Sequence, residues 1–113
     1  MLLQIRPITQ GDIEVVERLA YDYNYELDSV ETTRDAVSRW ITAATSESEK
    51  GNHYFWLACI EDAIAGFVSF ELRTNPFTQE TYGFIEDMYV VPSYRRRGYA
   101  EQLARAAFAE LIE

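Results

Sequence analysis

The 113-residue chain has one cysteine, one histidine, three prolines and five glycines, and no long apolar run. Each scarcity excludes something. A lone Cys59 rules out an internal disulfide. Set in the apolar run "FWLACI" (residues 55–60), it reads as a small buried hydrophobe. A catalytic thiol would need a base partner, and His53, the single imidazole, carries no local nucleophile signature with it. The reading assigns no metal. No segment approaches the ~20 apolar residues of a membrane span. Met1-Leu2-Leu3 leads into Gln4 and Arg6 and not into a signal-peptide core, so the expectation is a soluble cytoplasmic chain. Basic residues are few: ten against nineteen acids, a formal net charge of −9. That balance opposes nonspecific binding to nucleic acid or to an anionic membrane.

What is present is enough for one folded domain over residues 1–113. Nearly half of the chain is apolar, and aromatics are plentiful. "LLQIRPI" reads as a first strand ending near Pro7, and Thr9-Gln10-Gly11-Asp12 as a capping sequence. Ile13, Val16, Leu19, Ala20 and Tyr23 then recur at helical spacing, in a helix expected to fade near Asn24. Val37, Trp40, Ile41 and Ala44 mark a second helix capped by Thr32 or Thr33, and "TSESEKGN" reads as a polar loop. Tyr54 to Ile60 suits a strand buried on both faces. From Ile64 to Arg73 the pattern alternates, with Gly66, Val68, Phe70 and Leu72 on one face and Ser69, Glu71 and Arg73 on the other. "TNPFTQET" reads as a loop and Phe84 to Val91 as the next strand. Ala100, Leu103, Ala104, Ala107, Phe108, Leu111 and Ile112 form the stripe of a last helix. The order β-α-α-β-β-β-α, with three consecutive strands, predicts an α/β (α+β) fold: a mainly antiparallel sheet flanked by helices.

Three of the ten basic residues are crowded into "VVPSYRRRGYA", between a strand and a helix. The first N–H groups of a helix have no internal partner, and the helix dipole adds positive charge there. Gly98 lets a ligand approach the backbone closely. Such a turn suits phosphate or pyrophosphate. The alternative is a plain helix start with solvated arginines. An extended nucleic-acid surface would need a wider basic face.

The spacing Arg95-x-x-Gly98-x-Ala100 resembles the (R/Q)-x-x-G-x-(G/A) signature of the GNAT superfamily of N-acetyltransferases. "FIEDMYVVPSYRRRGYAEQL" looks like that family's fourth strand, pyrophosphate loop and third helix, and "IRPIT" before an acid opens many members. The resemblance covers essentially the whole chain. It implies acetyl-CoA as co-substrate, lying against the fourth strand. The backbone of Met88, Tyr89 and Val90 would hold the pantetheine arm beside a strand bulge. The amides of Arg96, Arg97, Gly98, Tyr99, Ala100 and Glu101 would cradle the pyrophosphate. Arg95 would brace either the loop or the phosphates. It also implies Glu86 as the base that takes a proton from the acceptor amine through water, with Asp87 ranked second and expected on the opposite face.

"YDYNYELD", residues 21–28, offers tyrosines interleaved with acids, which suits a cationic acceptor such as a polyamine, another small amine or a lysine-containing peptide. Core tyrosines with solvated acids are the other reading. Full family members continue beyond the third helix with a fifth strand, a fourth helix and two more strands. This chain is expected to lack these, so that activity would need a longer parent or a partner chain. A non-catalytic CoA-binding module and an interaction module on the same scaffold stand as alternatives. The uncovered fourth strand and the apolar end of the last helix point to a homodimer.

Overall fold

A computed structural model describes residues 3–28, 34–51 and 53–112. Its elements are β1 (Leu3–Pro7), α1 (Ile13–Asp28), α2 (Arg34–Glu49), β2 (Tyr54–Ile60), β3 (Ala63–Thr74), β4 (Thr81–Val90) and α3 (Tyr99–Ile112). The four strands form one antiparallel sheet in the order β1-β2-β3-β4, so β4 is an outer strand. The expected element order and sheet type are those observed. Among the described residues, no helix is long and apolar enough to cross a membrane.

Apolar side chains fill both faces of this sheet. On one face Val16 and Ala20 of α1, with Val37 and Ile41 of α2, close over Phe55, Leu57, Cys59, Phe67 and Tyr89. On the other, Leu103 and Ala107 of α3 cover Ala58, Val68, Phe70 and Val90. This two-sided cover changes the expectation for β3. Its faces do alternate, but Ala65 to Phe70 are all buried, including Ser69. Only the far end, from Glu71 onward, leaves the core, and Leu72 there is 48% exposed. The stripe positions Phe108, Leu111 and Ile112 of α3, and the proposed caps Thr32 and Thr33, lie outside the described side chains.

Both early helices run further than their patterns suggest. The first continues past Asn24 to Asp28. The second absorbs much of the expected polar loop and reaches Glu49. Thr45 is what makes that extension compatible with burial: it is fully buried, yet its hydroxyl donates to the Ile41 carbonyl one turn back at 2.7 Å. Gln10 ties the far end by donating to Glu49 at 2.8 Å.

The entry to α1 is fastened to β1. Arg6 grips Asp12 through two hydrogen bonds of 2.7 and 2.9 Å, and Asp12 also accepts from the backbone N–H and hydroxyl of Thr9. The Arg6 hydrogen bonds, with Thr9 assisting, hold the Asp12 carboxyl down at about 2, against an ordinary 3.8. A carboxyl lowered by folding stabilises the fold above its unfolded value, and that contribution is lost as pH falls through about 2. We expect roughly 1–2 kcal/mol, after allowance for solvent screening. Urea titrations of the wild type should show this loss between about pH 4 and pH 2. Asp12→Asn should be less stable at neutral pH and should lack that acid step. An identical acid limb in the variant would exclude Asp12 as its source.

Candidate functional site

β4 carries the site, and its geometry depends on one irregularity. Across the β3–β4 ladder Phe70 pairs with Ile85, but Ser69 pairs with Asp87. Glu86 is therefore an extra residue on β4, a β-bulge. The bulge overturns the expected alternation of Glu86 and Asp87. Asp87 faces the α1/α2 layer, where Tyr23 of α1 donates to it at 2.9 Å. Glu86 turns to that same side, into a cavity of about 280 Å³ lined by Trp40, Ala44 and Glu47 of α2 with His53, Ser69 and Glu71. Burial and the hydrogen bond to Asp87 push the Tyr23 hydroxyl up to about 12, so at neutral pH it is a fixed donor. The Tyr23 ring packs on Phe67 and Tyr89, with centroids 5.6 Å away in each case.

Glu86 does not stand alone. His53 Nδ1 is 3.3 Å from Glu86 Oε1 and 3.6 Å from Glu71 Oε2. The other oxygen of Glu71 accepts from Arg73 Nε, which holds the Glu71 carboxyl below its ordinary range. The sequence reading missed this trio. Its only signals were Glu71 on the Ser69 face and a histidine just ahead of β2. Cys59 is not His53's partner. It is buried near Arg6, and burial pushes its thiol up, as an inert side chain requires.

Further along β4, alternation decides which backbone groups reach the open edge. Val91 donates to Ala65 of β3 at 2.8 Å, and the Tyr89 carbonyl faces Gly66. Met88 and Val90 therefore direct their N–H and C=O groups to the outer edge, whereas Tyr89 spends its own on β3. The side chain of Tyr89 is buried under α1 and α2, and that of Val90 under α3.

The turn after β4 begins with a short 3-10 segment, Pro92–Tyr94. Arg95 then folds back, donating from Nε to the Val90 carbonyl at 2.8 Å with its guanidinium over the Tyr89 ring. It is thereby anchored to the strand. Arg96 and Gly98 both take positive φ, 65° and 79°. Gln102 N–H donates to the Gly98 carbonyl at 3.1 Å, which makes Gly98 the residue that opens α3. The N–H groups of Tyr99, Ala100 and Glu101 are thus the first-turn donors without a carbonyl partner inside the helix. A Cβ on Gly98 would meet no protein atom within 4 Å, so glycine answers to the backbone conformation and leaves the space above it open. Arg97 lies over the Tyr94 ring.

The tyrosine-rich segment 21–28 does not form one wall. Helical periodicity sends Tyr23 to the core and leaves Tyr25 exposed. Tyr21 and Asp22 join Glu14, Glu17, Arg18, Arg34 and Val37 around a separate cavity of about 490 Å³, with Arg34 over the Tyr21 ring. The side chains of Glu26 and Asp28 lie outside the described residues.

Residues 13–113 match the acetyltransferase (GNAT) family. No curated protein sequence matches the chain. Among solved structures, a possible acetyltransferase from Clostridium difficile 630 superposes with a TM-score of 0.83 at 16% identity, over 97% of this chain and 71% of that one. A GCN5-related N-acetyltransferase from Ralstonia eutropha JMP134 gives 0.77 at 23% identity, over 96% and 75%. A predicted acetyltransferase from Clostridium acetobutylicum, solved with acetyl-CoA, gives 0.74 at 16% identity, over 96% and 73%. At these identities the structural likeness speaks for the fold.

Proposed function

Because this chain belongs to the GNAT acetyltransferase family, we propose that it binds acetyl-CoA along the outer edge of β4 and transfers the acetyl group to an amine. The observation that carries the reading is the turn from Arg95 to Glu101. There the family signature coincides with the opening of α3, a left-handed Gly98 and unobstructed space above it. The first-turn amides and the dipole of α3 would receive the pyrophosphate, with Arg96 and Arg97 adding attraction in an otherwise acidic chain. Arg95, fastened to Val90, fixes the loop against the strand. The outward groups of Met88 and the Val90 N–H would hold the pantetheine arm as a neighbouring strand would, the Val90 carbonyl being held by Arg95.

Glu86 takes a proton from the ammonium form of the acceptor, directly or through one water. The freed amine attacks the thioester carbonyl carbon. A C–N bond forms, the C–S bond breaks and CoA leaves as the thiolate, while the second proton lost by the nitrogen passes through water to that thiolate, giving the free thiol. The Trp40–Glu47–Glu71–Glu86 cavity is the acceptor side of this reading. An aromatic wall with carboxylates suits a cationic amine.

The test is calorimetry of acetyl-CoA binding to Gly98→Asp. The new carboxylate enters the space where phosphates would approach and should weaken binding about tenfold or more, that is 1.4 kcal/mol or more. Gly98→Asn, whose side chain tolerates the same φ without charge, separates backbone strain from repulsion. Equal affinity in wild type and Gly98→Asp would reject the pyrophosphate assignment.

A further inference from the structure

The cluster of His53, Glu71 and Glu86 has the makings of a metal site. We propose that these three side chains bind a transition-metal dication, with Zn²⁺ the natural probe. They come from three places far apart in sequence: the approach to β2, the outer half of β3 and the bulge of β4. The sheet register and the extra residue at Glu86 bring them to one face. One ligand atom from each lies within 4.8 Å of the other two. In a tetrahedral zinc site with bonds of about 2.0–2.1 Å, ligand atoms stand about 3.3 Å apart. The separations of 3.3 and 3.6 Å from His53 Nδ1 already match that edge.

The chemistry fits as well as the spacing. One imidazole nitrogen and two carboxylate oxygens are a borderline-hard N/O set, suited to zinc and its neighbours. Two carboxylates neutralise a dication. Arg73 offsets part of that charge but leaves a ligand atom free, because its Nε holds the other oxygen of Glu71 and its guanidinium stacks 3.8 Å from the Phe84 ring centroid. It acts as an outer-shell partner that presents Oε2 as a single ligand atom. The adjoining cavity leaves room for water at the open position, with Glu47 on its wall.

A metal there would occupy Glu86. If Glu86 is the base proposed above, metal binding and acetyl transfer exclude each other, and this consequence alone rests on that reading.

Untagged protein freed of metal with chelator should be titrated with ZnCl₂ by calorimetry. One ion per chain is expected, with an X-ray absorption shell of N and O only, at about 2.0–2.1 Å. His53→Ala should weaken binding by more than about 100-fold. His53→Gln, closer in volume, serves if the alanine variant does not fold. Cys59→Ser should change nothing. No binding up to millimolar Zn²⁺, or binding that both His53 variants retain, overturns the site. Chelator-reversible loss of acetyl transfer confirms the shared carboxylate. Binding without such loss supports the metal site and counts against Glu86 as base.

Discussion

Replacing Glu86 with glutamine is expected to slow acetyl transfer by about 10²–10⁴-fold, the usual scale for losing a general base. The amide keeps the shape of the side chain and its place at the bulge but cannot accept the proton. Acetyl-CoA affinity should barely move, because the proposed cofactor contacts lie on the outer edge of β4 and in the turn beyond it, whereas Glu86 faces α2. The comparison should be made with chelator present, so that the metal site is empty in both proteins. Asp87 is the internal control. It faces the same layer but already accepts the Tyr23 hydroxyl, so Asp87→Asn should affect stability more than turnover. An unchanged rate in Glu86→Gln, measured across a panel of small amines, would remove it from the chemistry. Retained cofactor binding with no turnover in the wild type would instead favour the CoA-binding module.

The second large effect is expected at Gly66. A Cβ there would stand 2.4 Å from the Tyr89 carbonyl oxygen and 3.1 Å from Val90 Cα. Both are backbone atoms of the paired strand, so no side-chain rotation relieves the overlap. Gly66→Ala must push β4 away from β3 beside the carbonyl that Arg95 grips. We expect a loss of roughly 3 kcal/mol in chemical denaturation, at the upper end for overpacking. The surviving folded protein should also bind acetyl-CoA less tightly, because the outward groups of Met88 and Val90 shift with the strand. Stability within about 0.5 kcal/mol of wild type would mean that the strands separate freely here, against the close pairing observed.

Gly98 and Gly66 illustrate what a sequence discloses. Gly98 was legible because its role is local: a strand, three arginines, a glycine and a helical stripe follow one another within a few residues. The order of elements was legible for the same reason, since periodicity is a short-range signal. Gly66 was read only as one member of an alternating face. Its need for glycine comes from a partner strand whose register is fixed by the hairpin between them. There Asn75 N–H donates to the Glu80 carbonyl, and the Asn75 side chain accepts from Phe77 N–H. The bulge at Glu86 is of the same kind. The family resemblance implies a bulge in this strand, but nothing in "FIEDMY" says which residue is the extra one, and that decides whether two adjacent acids share a face. The trio of His53, Glu71 and Glu86 depends on register and bulge together, so it was invisible to any local pattern. The helix ends were misjudged where a polar residue satisfied itself within the helix, as Thr45 does.

Cys59 also bears on how the folded chain breathes. It lies under the helical layer, 5% exposed, beside the clamp that joins Arg6 to Asp12. A thiol reagent in solution can reach it only when the helical layer over this face opens or the chain unfolds. With a single sulfhydryl in the chain, every labelling event reports exposure of that one site. When reclosing outpaces the reagent, the labelling rate measures the free energy of the easiest opening that exposes the thiol, with global unfolding as its upper limit. The protein thus carries its own clock for the opening of this face of the sheet, readable without adding a probe or changing a residue.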